Sequence, residues 1–210
     1  MLVVSLPSMA FAPPLPPVVV PPKPIIEPPP DPALVAHSKR VDMVHGIIAP
    51  RIDKLDDDES RELAETIVAE CEATGVDPLF VIAIIDVESR WDIEAVSPTG
   101  AKGLMQIVPS TFRLMSTAKR MFDPQENVRA GIRYIRRLWD SGFGRRGPES
   151  ILLAYNQGPG VAVTVYRDGT VIPDEAAFYI PRVMAKYRAL LAEQGRSPRD
   201  AKTLFLLATR

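Results

Sequence analysis

The sequence predicts a mainly α-helical fold, and three observations carry that reading. An almost unbroken apolar run from Leu79 to Val87 is opened by Asp77-Pro78, where aspartate caps the first turn and proline fits its first position. Ahead of it, Leu63, Ile67 and Cys71 recur at helical spacing and stop at Gly75. Behind it, Val128, Ile132, Ile135, Leu138 and Trp139 mark one face of a further helix, with Arg129, Arg133, Arg136 and Arg137 on its other, solvated faces. The β-like stretch is Val161 to Tyr166, short and β-branched, followed by the turn residues Arg167-Asp168-Gly169-Thr170. The sequence therefore allows at most a small hairpin between Val163 and Ile172.

In chain order, residues 1–12, MLVVSLPSMAFA, resemble an export signal ending in a small-x-small site at Ala10-Phe11-Ala12. It is imperfect: no Lys or Arg precedes it, Pro7 interrupts it and Pro13 follows the cut. Residues 13–57 read as a proline-rich spacer and pre-domain segment. Its first part, to Pro32, favours the extended polyproline conformation at about 3.1 Å per residue, a reach on the order of 60 Å. Val41, Val44, Ile47 and Ile48 then have helical spacing until Pro50. His37 and His45 lack the accompanying ligands of a metal site.

The folded body, 58–195, should be helix after helix: 59–74, a central buried helix at 77–88, a short one at 109–117, then 125–141, 149–156 and 174–194. Tyr179, Val183, Tyr187 and Leu190 are in phase on the last, which Pro181 should kink or restart. Residues 196–210, with Leu204 to Leu207 together, are expected to dock as a C-terminal helix.

A chain of 210 residues suits one domain with extra segments at its ends. Its net charge of −1 removes any bulk electrostatic case for nucleic acid or an anionic membrane. No apolar run is long enough for a transmembrane helix. One cysteine excludes an intrachain disulfide, and Cys71 falls in phase with core positions.

The chemistry-bearing stretch is Phe80 to Met105, and above all Glu88. A carboxyl at the end of a helix too apolar to be exposed loses solvation of its charged form, so its pKa rises, as a proton donor near neutrality requires. Asp86 is the rival, but residues two apart on a helix point about 200° away from each other, so the two cannot share one site. After Glu88 come a polar loop with Ser97, Gly100 and Gly103, where glycines permit close backbone approach, and then Gln106, both donor and acceptor. On residues alone, Glu88 reads equally as a solvated helix end. Tyr155 and Asn156, at a helix end before Gly158-Pro159-Gly160, could form a sugar-binding rim, but on residues alone a core tyrosine beside a cap is the favoured reading.

Three motifs in order decide between these readings. Glu88-Ser89 with Ser97, then Gly100-Ala101-Lys102-Gly103-Leu104-Met105-Gln106-Ile107-Val108-Pro109, then Ala154-Tyr155-Asn156-Gln157-Gly158-Pro159-Gly160 together resemble the catalytic domain of the soluble lytic transglycosylases, relatives of goose-type lysozyme. The resemblance covers 59–191 and implies a lysozyme-like helical domain. It implies a lyase that cleaves the bond between N-acetylmuramic acid and N-acetylglucosamine in peptidoglycan without metal or cofactor, with Glu88 as acid and then base and a 1,6-anhydro product. Ser97, Met105, Gln106, Tyr155 and Asn156 match groove positions, and Tyr179 a tyrosine near the acid. Glu175 and Tyr179 keep the family's spacing, while Ala176 and Gln157 depart from its common threonine and alanine.

The resemblance further implies export to the periplasm or cell envelope and peptidoglycan strands as partner. The proline spacer would fit a dedicated secretion, conjugation or flagellar apparatus without showing one. A lysozyme-type hydrolase on the same bond, or a non-catalytic wall-binding assembly module, remain as alternatives.

Overall fold

The computed structural model describes residues 31–197. The export-signal reading of 1–12, most of the spacer and nearly all of the expected C-terminal helix lie outside them.

Eight α-helices are present among the described residues: α1 (Pro32–Ile48), α2 (Asp57–Thr74), α3 (Pro78–Glu88), α4 (Pro109–Met115), α5 (Pro124–Asp140), α6 (Pro148–Gln157), α7 (Pro159–Asp168) and α8 (Asp174–Glu193). Short 3-10 turns, Ala49–Arg51 and Phe143–Arg146, precede the loop into α2 and the start of α6. Proline stands in the first turn of α3 to α7, where its missing N–H costs nothing because the first-turn amides have no helical acceptor. A capping box starts α2: Asp56 accepts from the Glu59 N–H at 2.8 Å and Glu59 accepts from the Asp56 N–H at 3.0 Å. Gly75, at φ 75°, stops it.

Helix α3 is the hub. Its residues Leu79 to Ile85 are all buried, and α8 lies along it. Phe80 meets Tyr187 edge-on with ring centroids 5.4 Å apart. Buried Asp77 caps the helix through the Leu79 N–H at 2.9 Å and accepts from the Tyr187 hydroxyl at 3.1 Å and from Arg196 at 2.6 Å. The start of α3 is thereby tied to the end of α8.

Helix α1 lays Val41, Val44, Ile47 and Ile48 into the core against α2, with His37 and Arg40 both on Glu72. On the other side of α2, Arg133 of α5 grips Glu70 with two bonds of 2.7 and 3.0 Å, and Arg136 donates to the Thr74 carbonyl. The arginine face of α5 is thus a solvated face closed by ion pairs.

Two elements differ from expectation. The β-branched stretch is helical: Gly158 and Pro159 nucleate α7, Ala162 packs inward, and Val161 and Val163 remain exposed. No strand occurs among the described residues, only two isolated bridges, Val96 with Lys102 and Lys102 with Ile107. Tertiary burial of one small residue and a proline start outweigh strand propensity here. Helix α8 runs unbroken through Pro181, whose ring sits on the exposed face.

Candidate active site

Glu88 is delivered by the last turn of α3 into a cleft of about 480 Å³. Across the cleft stand Tyr155, Asn156 and Gln157 from the end of α6 and Glu175 from the start of α8, and the 95–107 loop supplies Ser97, Thr99 and Gln106. Burial pushes the Glu88 pKa up to about 7; the Tyr179 hydroxyl partly opposes this and the Glu175 charge adds to it. The group therefore changes protonation near neutrality.

Asp86 faces the other way. Its Oδ1 accepts from the Trp91 indole at 3.0 Å and its Oδ2 pairs with Lys186 at 2.8 Å. Burial works to raise its pKa, yet the hydrogen bonds from Lys186 and Trp91 together with the Lys186 and Arg51 charges outweigh it, and the pKa is lowered. Two carboxyls within one turn thus have their pKa values moved in opposite directions by different surroundings, which the helical period places on opposite faces.

The loop after α3 is held in shape by backbone conformation and by one buried side chain. Arg90 and Trp91 are left-handed, with φ of 52° and 69°, which ends the helix and turns the chain back. Ser97 accepts from the Ala101 N–H at 3.0 Å and shares a hydrogen bond with Thr99 at 2.9 Å. Gln106, at φ 46°, donates its side-chain N–H groups to the carbonyls of Ala95 at 3.1 Å and Gly103 at 2.9 Å. These two bonds fix the side chain of Gln106, which lines the cleft, against its own loop.

Beneath the loop lies Asn127, fully buried in the first turn of α5. It donates to the carbonyls of Lys102 and Met121, both at 2.9 Å, and accepts from the Met105 N–H at 2.8 Å. Gly103, at φ 75°, packs against this amide so closely that a Cβ would strike it. Gly131 likewise makes room for the Met105 side chain.

Met105 is therefore not a groove residue. Its side chain is fully buried against Gly131, and only its carbonyl reaches the cleft wall, accepting from the Tyr155 hydroxyl at 2.7 Å. An unbranched apolar side chain gains more by filling the gap beside Gly131 than by facing solvent. Tyr155 also leans on Tyr134 at 5.5 Å between centroids. Asn156 donates to Glu175 at 3.3 Å, and Gln157 to Asn156 at 2.7 Å, so a chain of amides and one carboxylate forms the rim. Tyr179 is 6% exposed, and its hydroxyl has no partner at full hydrogen-bond geometry; its influence falls on the Glu88 carboxyl, whose charged form it favours.

Glu88, Ser97, Gln106, Tyr155 and Asn156 thus converge on one cleft, with Tyr179 buried beside the acid. The sequence does not point to Thr99, Thr111 or Tyr134 in the lining, or to Asn127 below it. Tyr134 falls between the stripe positions of α5, and Asn127 precedes Val128 as if it were an ordinary first-turn residue. Larger hollows of about 570, 600 and 640 Å³ lie elsewhere, and none of them is lined by Glu88, Tyr155 or Asn156.

Comparison with known proteins bears on the family and the fold. Residues 65–168 match the family described as Transglycosylase SLT domain. The membrane-bound lytic murein transglycosylase F of Alcanivorax borkumensis is 40% identical over 94 residues, covering 42% of this chain and 20% of that protein. The membrane-bound lytic murein transglycosylase C of Actinobacillus succinogenes is 32% identical over 133 residues, covering 55% of this chain and 36% of its own length. The chain thus spans about a fifth to a third of these relatives. Among solved structures, an inactive mutant of lytic transglycosylase Slt from Pseudomonas aeruginosa superposes with a TM-score of 0.57 at 22% identity, over 79% of this chain and 30% of that one. The 70 kDa soluble lytic transglycosylase of Escherichia coli gives the same TM-score at 21% identity, with the same coverage. Three sequence motifs and a fold like that of these solved structures thus accompany the match, and residues 65–168, which hold Glu88 and most of the cleft lining, are similar to the Transglycosylase SLT domain family.

Proposed function

We propose that the chain is a peptidoglycan lytic transglycosylase, cutting the β-1,4 bond from N-acetylmuramic acid to N-acetylglucosamine and leaving a 1,6-anhydro end. The observation that carries this reading is Glu88: one carboxyl with a pKa of about 7, in a cleft of about 480 Å³ lined by Ser97, Thr99, Gln106, Asn156 and other polar side chains. Near neutral pH both of its forms are populated, which suits a group that must give a proton and then accept one.

Protonated Glu88 donates to the glycosidic oxygen as the bond to carbon one breaks. The neighbouring acetamido group of the sugar supports the positive charge, a substrate-assisted route that needs no second catalytic carboxylate. Glu88, now a carboxylate, takes the proton of the hydroxyl on carbon six, whose oxygen attacks carbon one and closes the anhydro ring. No water is consumed, and Glu88 ends protonated. Ser97, the Gln106 amide oxygen and Asn156 supply polar contacts to the strand. Tyr155 and Tyr179, raised well above the usual tyrosine range by burial first and by the Glu88 charge second, stay neutral walls beside the acid.

Glu175 favours a second reading. It lines the same cleft and would suit a hydrolase in which a carboxylate activates water, giving a reducing end instead of an anhydro ring. Its hydrogen bonds from Asn156 and Gln157, at 3.3 and 3.4 Å, support a rim role instead. Peptidoglycan as partner implies action in the cell envelope, and the proline-rich 13–32 segment would allow reach through it, in general turnover or beside an envelope-spanning apparatus.

Digestion of purified wall sacculi with the parent and with Glu88→Gln, followed by product masses, tests the proposal. Anhydro-muropeptides from the parent and none from the variant are expected. Reducing ends alone would favour the hydrolase, and equal release by both proteins would refute catalysis by Glu88.

A further inference from the structure

On the side of α3 that carries Asp86 lies a second hollow, of about 640 Å³, lined among others by Arg51, Asp86, Arg90, Trp91, Arg182 and Lys186. Four cations from the turn after α1, the end of α3 and the middle of α8 face a single carboxylate. That carboxylate is already engaged, by Trp91 at 3.0 Å and Lys186 at 2.8 Å. Arg51 turns one guanidinium N–H back to the Ile47 carbonyl. Arg90 and Arg182, both exposed, have no hydrogen-bond or ion-pair partner among the described residues. Several other arginines are paired, Arg40 with Glu72, Arg61 with Asp42, Arg129 with Glu126 and Arg133 with Glu70, while Arg113 and Arg145 stand without an ion-pair partner among the described residues.

A chain with net charge −1 thus leaves three positive charges uncompensated at one concavity. Backbone geometry contributes to this. Arg90 at φ 52° and Trp91 at φ 69° leave the helical path in the left-handed region, an uncommon conformation for large side chains that persists only where neighbours hold it. The Trp91 indole, buried and bonded to Asp86, is the hold. Because the chain turns there, the Arg90 side chain joins the hollow behind α3, while Glu88, two residues earlier, opens into the cleft.

We propose that this hollow is a binding site for a phosphate-class oxyanion, separate from the saccharide cleft and independent of what the cleft does. A carboxylate offers two oxygens in one plane. Guanidinium groups arriving from three elements ask for acceptors in several directions, as a tetrahedral phosphate presents them. Val87, Trp91 and Ala185 give the wall an apolar share, which would accommodate the body that bears the phosphate. Free phosphate and an anionic phospholipid headgroup present the same chemistry here.

The test uses Arg182→Ala and Arg90→Gly, singly and together; glycine is chosen at 90 because it accepts the left-handed conformation without strain. Inorganic phosphate is titrated by calorimetry at constant ionic strength, and co-sedimentation is measured with vesicles of phosphatidylglycerol and phosphatidylcholine against phosphatidylcholine alone. Thermal unfolding without phosphate checks that each variant is folded. Binding of phosphate by the parent, weakened about tenfold or more by each substitution, is expected, since a charge-assisted hydrogen bond contributes about 1.5–3 kcal/mol. Binding confined to the anionic vesicles and lost in the double variant would identify the headgroup as the source. Binding that the folded variants retain in full, or no binding of either probe by the parent, overturns the proposal.

Discussion

The Asn127 side chain accepts from the Met105 N–H at 2.8 Å while donating to the Lys102 and Met121 carbonyls, so one buried amide on α5 fixes from beneath the loop that supplies part of the cleft lining. Asn127→Ala would leave the Met105 N–H and the Met121 carbonyl short of this partner and the Lys102 carbonyl with only the Ile107 N–H, at about 1–3 kcal/mol for each group that water cannot reach. A loss of about 3 kcal/mol in unfolding free energy is expected from urea denaturation. The near-isosteric Asn127→Asp should cost at least as much, because a carboxylate oxygen would face the carbonyls that the amide nitrogen now serves. Both variants should lose saccharide turnover by more than their fraction unfolded explains, since Gln106 and Ser97 sit on the same loop.

Gly103 depends on the same amide. An added methyl would strike Asn127, and the φ of 75° is itself unfavourable for any residue with a Cβ, so Gly103→Ala should destabilise by about 2 kcal/mol or more. The two sources separate in a double-mutant cycle. With Asn127→Ala present the clash is relieved and the backbone strain of about 1 kcal/mol remains. Additive losses would show that the two residues do not press on each other.

What the sequence made legible, and what it did not, follows from how local each signal is. Proline starts, the Gly75 stop and the apolar run of α3 are local, and the helices formed where these signals lie. The opposition of Asp86 and Glu88 needs only the helical period. The character of α7 was hidden because β-branched residues favour strands until a proline start and one inward alanine decide otherwise. Met105 was misassigned to the groove because its motif neighbours point there; only the space above Gly131, a residue 26 positions away in the sequence, shows that its side chain turns inward. Asn127 has the same explanation: its three partners are chain groups that sequence spacing cannot bring together.

Burial of Glu88 also predicts how stability changes with pH. Its pKa in the folded state is about 7 against an ordinary 4.5, so folding holds a proton that the unfolded chain releases. Below pH 4.5 the group is protonated in both states and contributes no difference. As pH rises from there to about 7 stability falls, by roughly 3 kcal/mol in all at 1.36 kcal/mol per pH unit, and beyond 7 the penalty is constant. Glu88→Gln removes this dependence. The variant should melt higher than the parent at pH 8 and level with it at pH 4, and equal melting temperatures at both would mean that the carboxyl is solvated.

Two neighbours should move the acid in opposite directions. The Glu175 charge raises the Glu88 pKa, so Glu175→Gln should lower it and shift the alkaline fall of kcat/KM to lower pH. The Tyr179 hydroxyl favours the charged form, so Tyr179→Phe should raise the pKa further and shift that fall to higher pH. Tyr179→Phe should cost little stability, since the hydroxyl it removes is buried without a partner at full hydrogen-bond geometry. Glu175→Gln also disturbs the rim through Asn156 and Gln157, so its KM should rise, whereas Tyr179→Phe should act mainly on kcat. The pH profiles of the two variants against the parent decide the matter: shifts of the same sign, or none, would mean that neither residue tunes the carboxyl that gives up the proton.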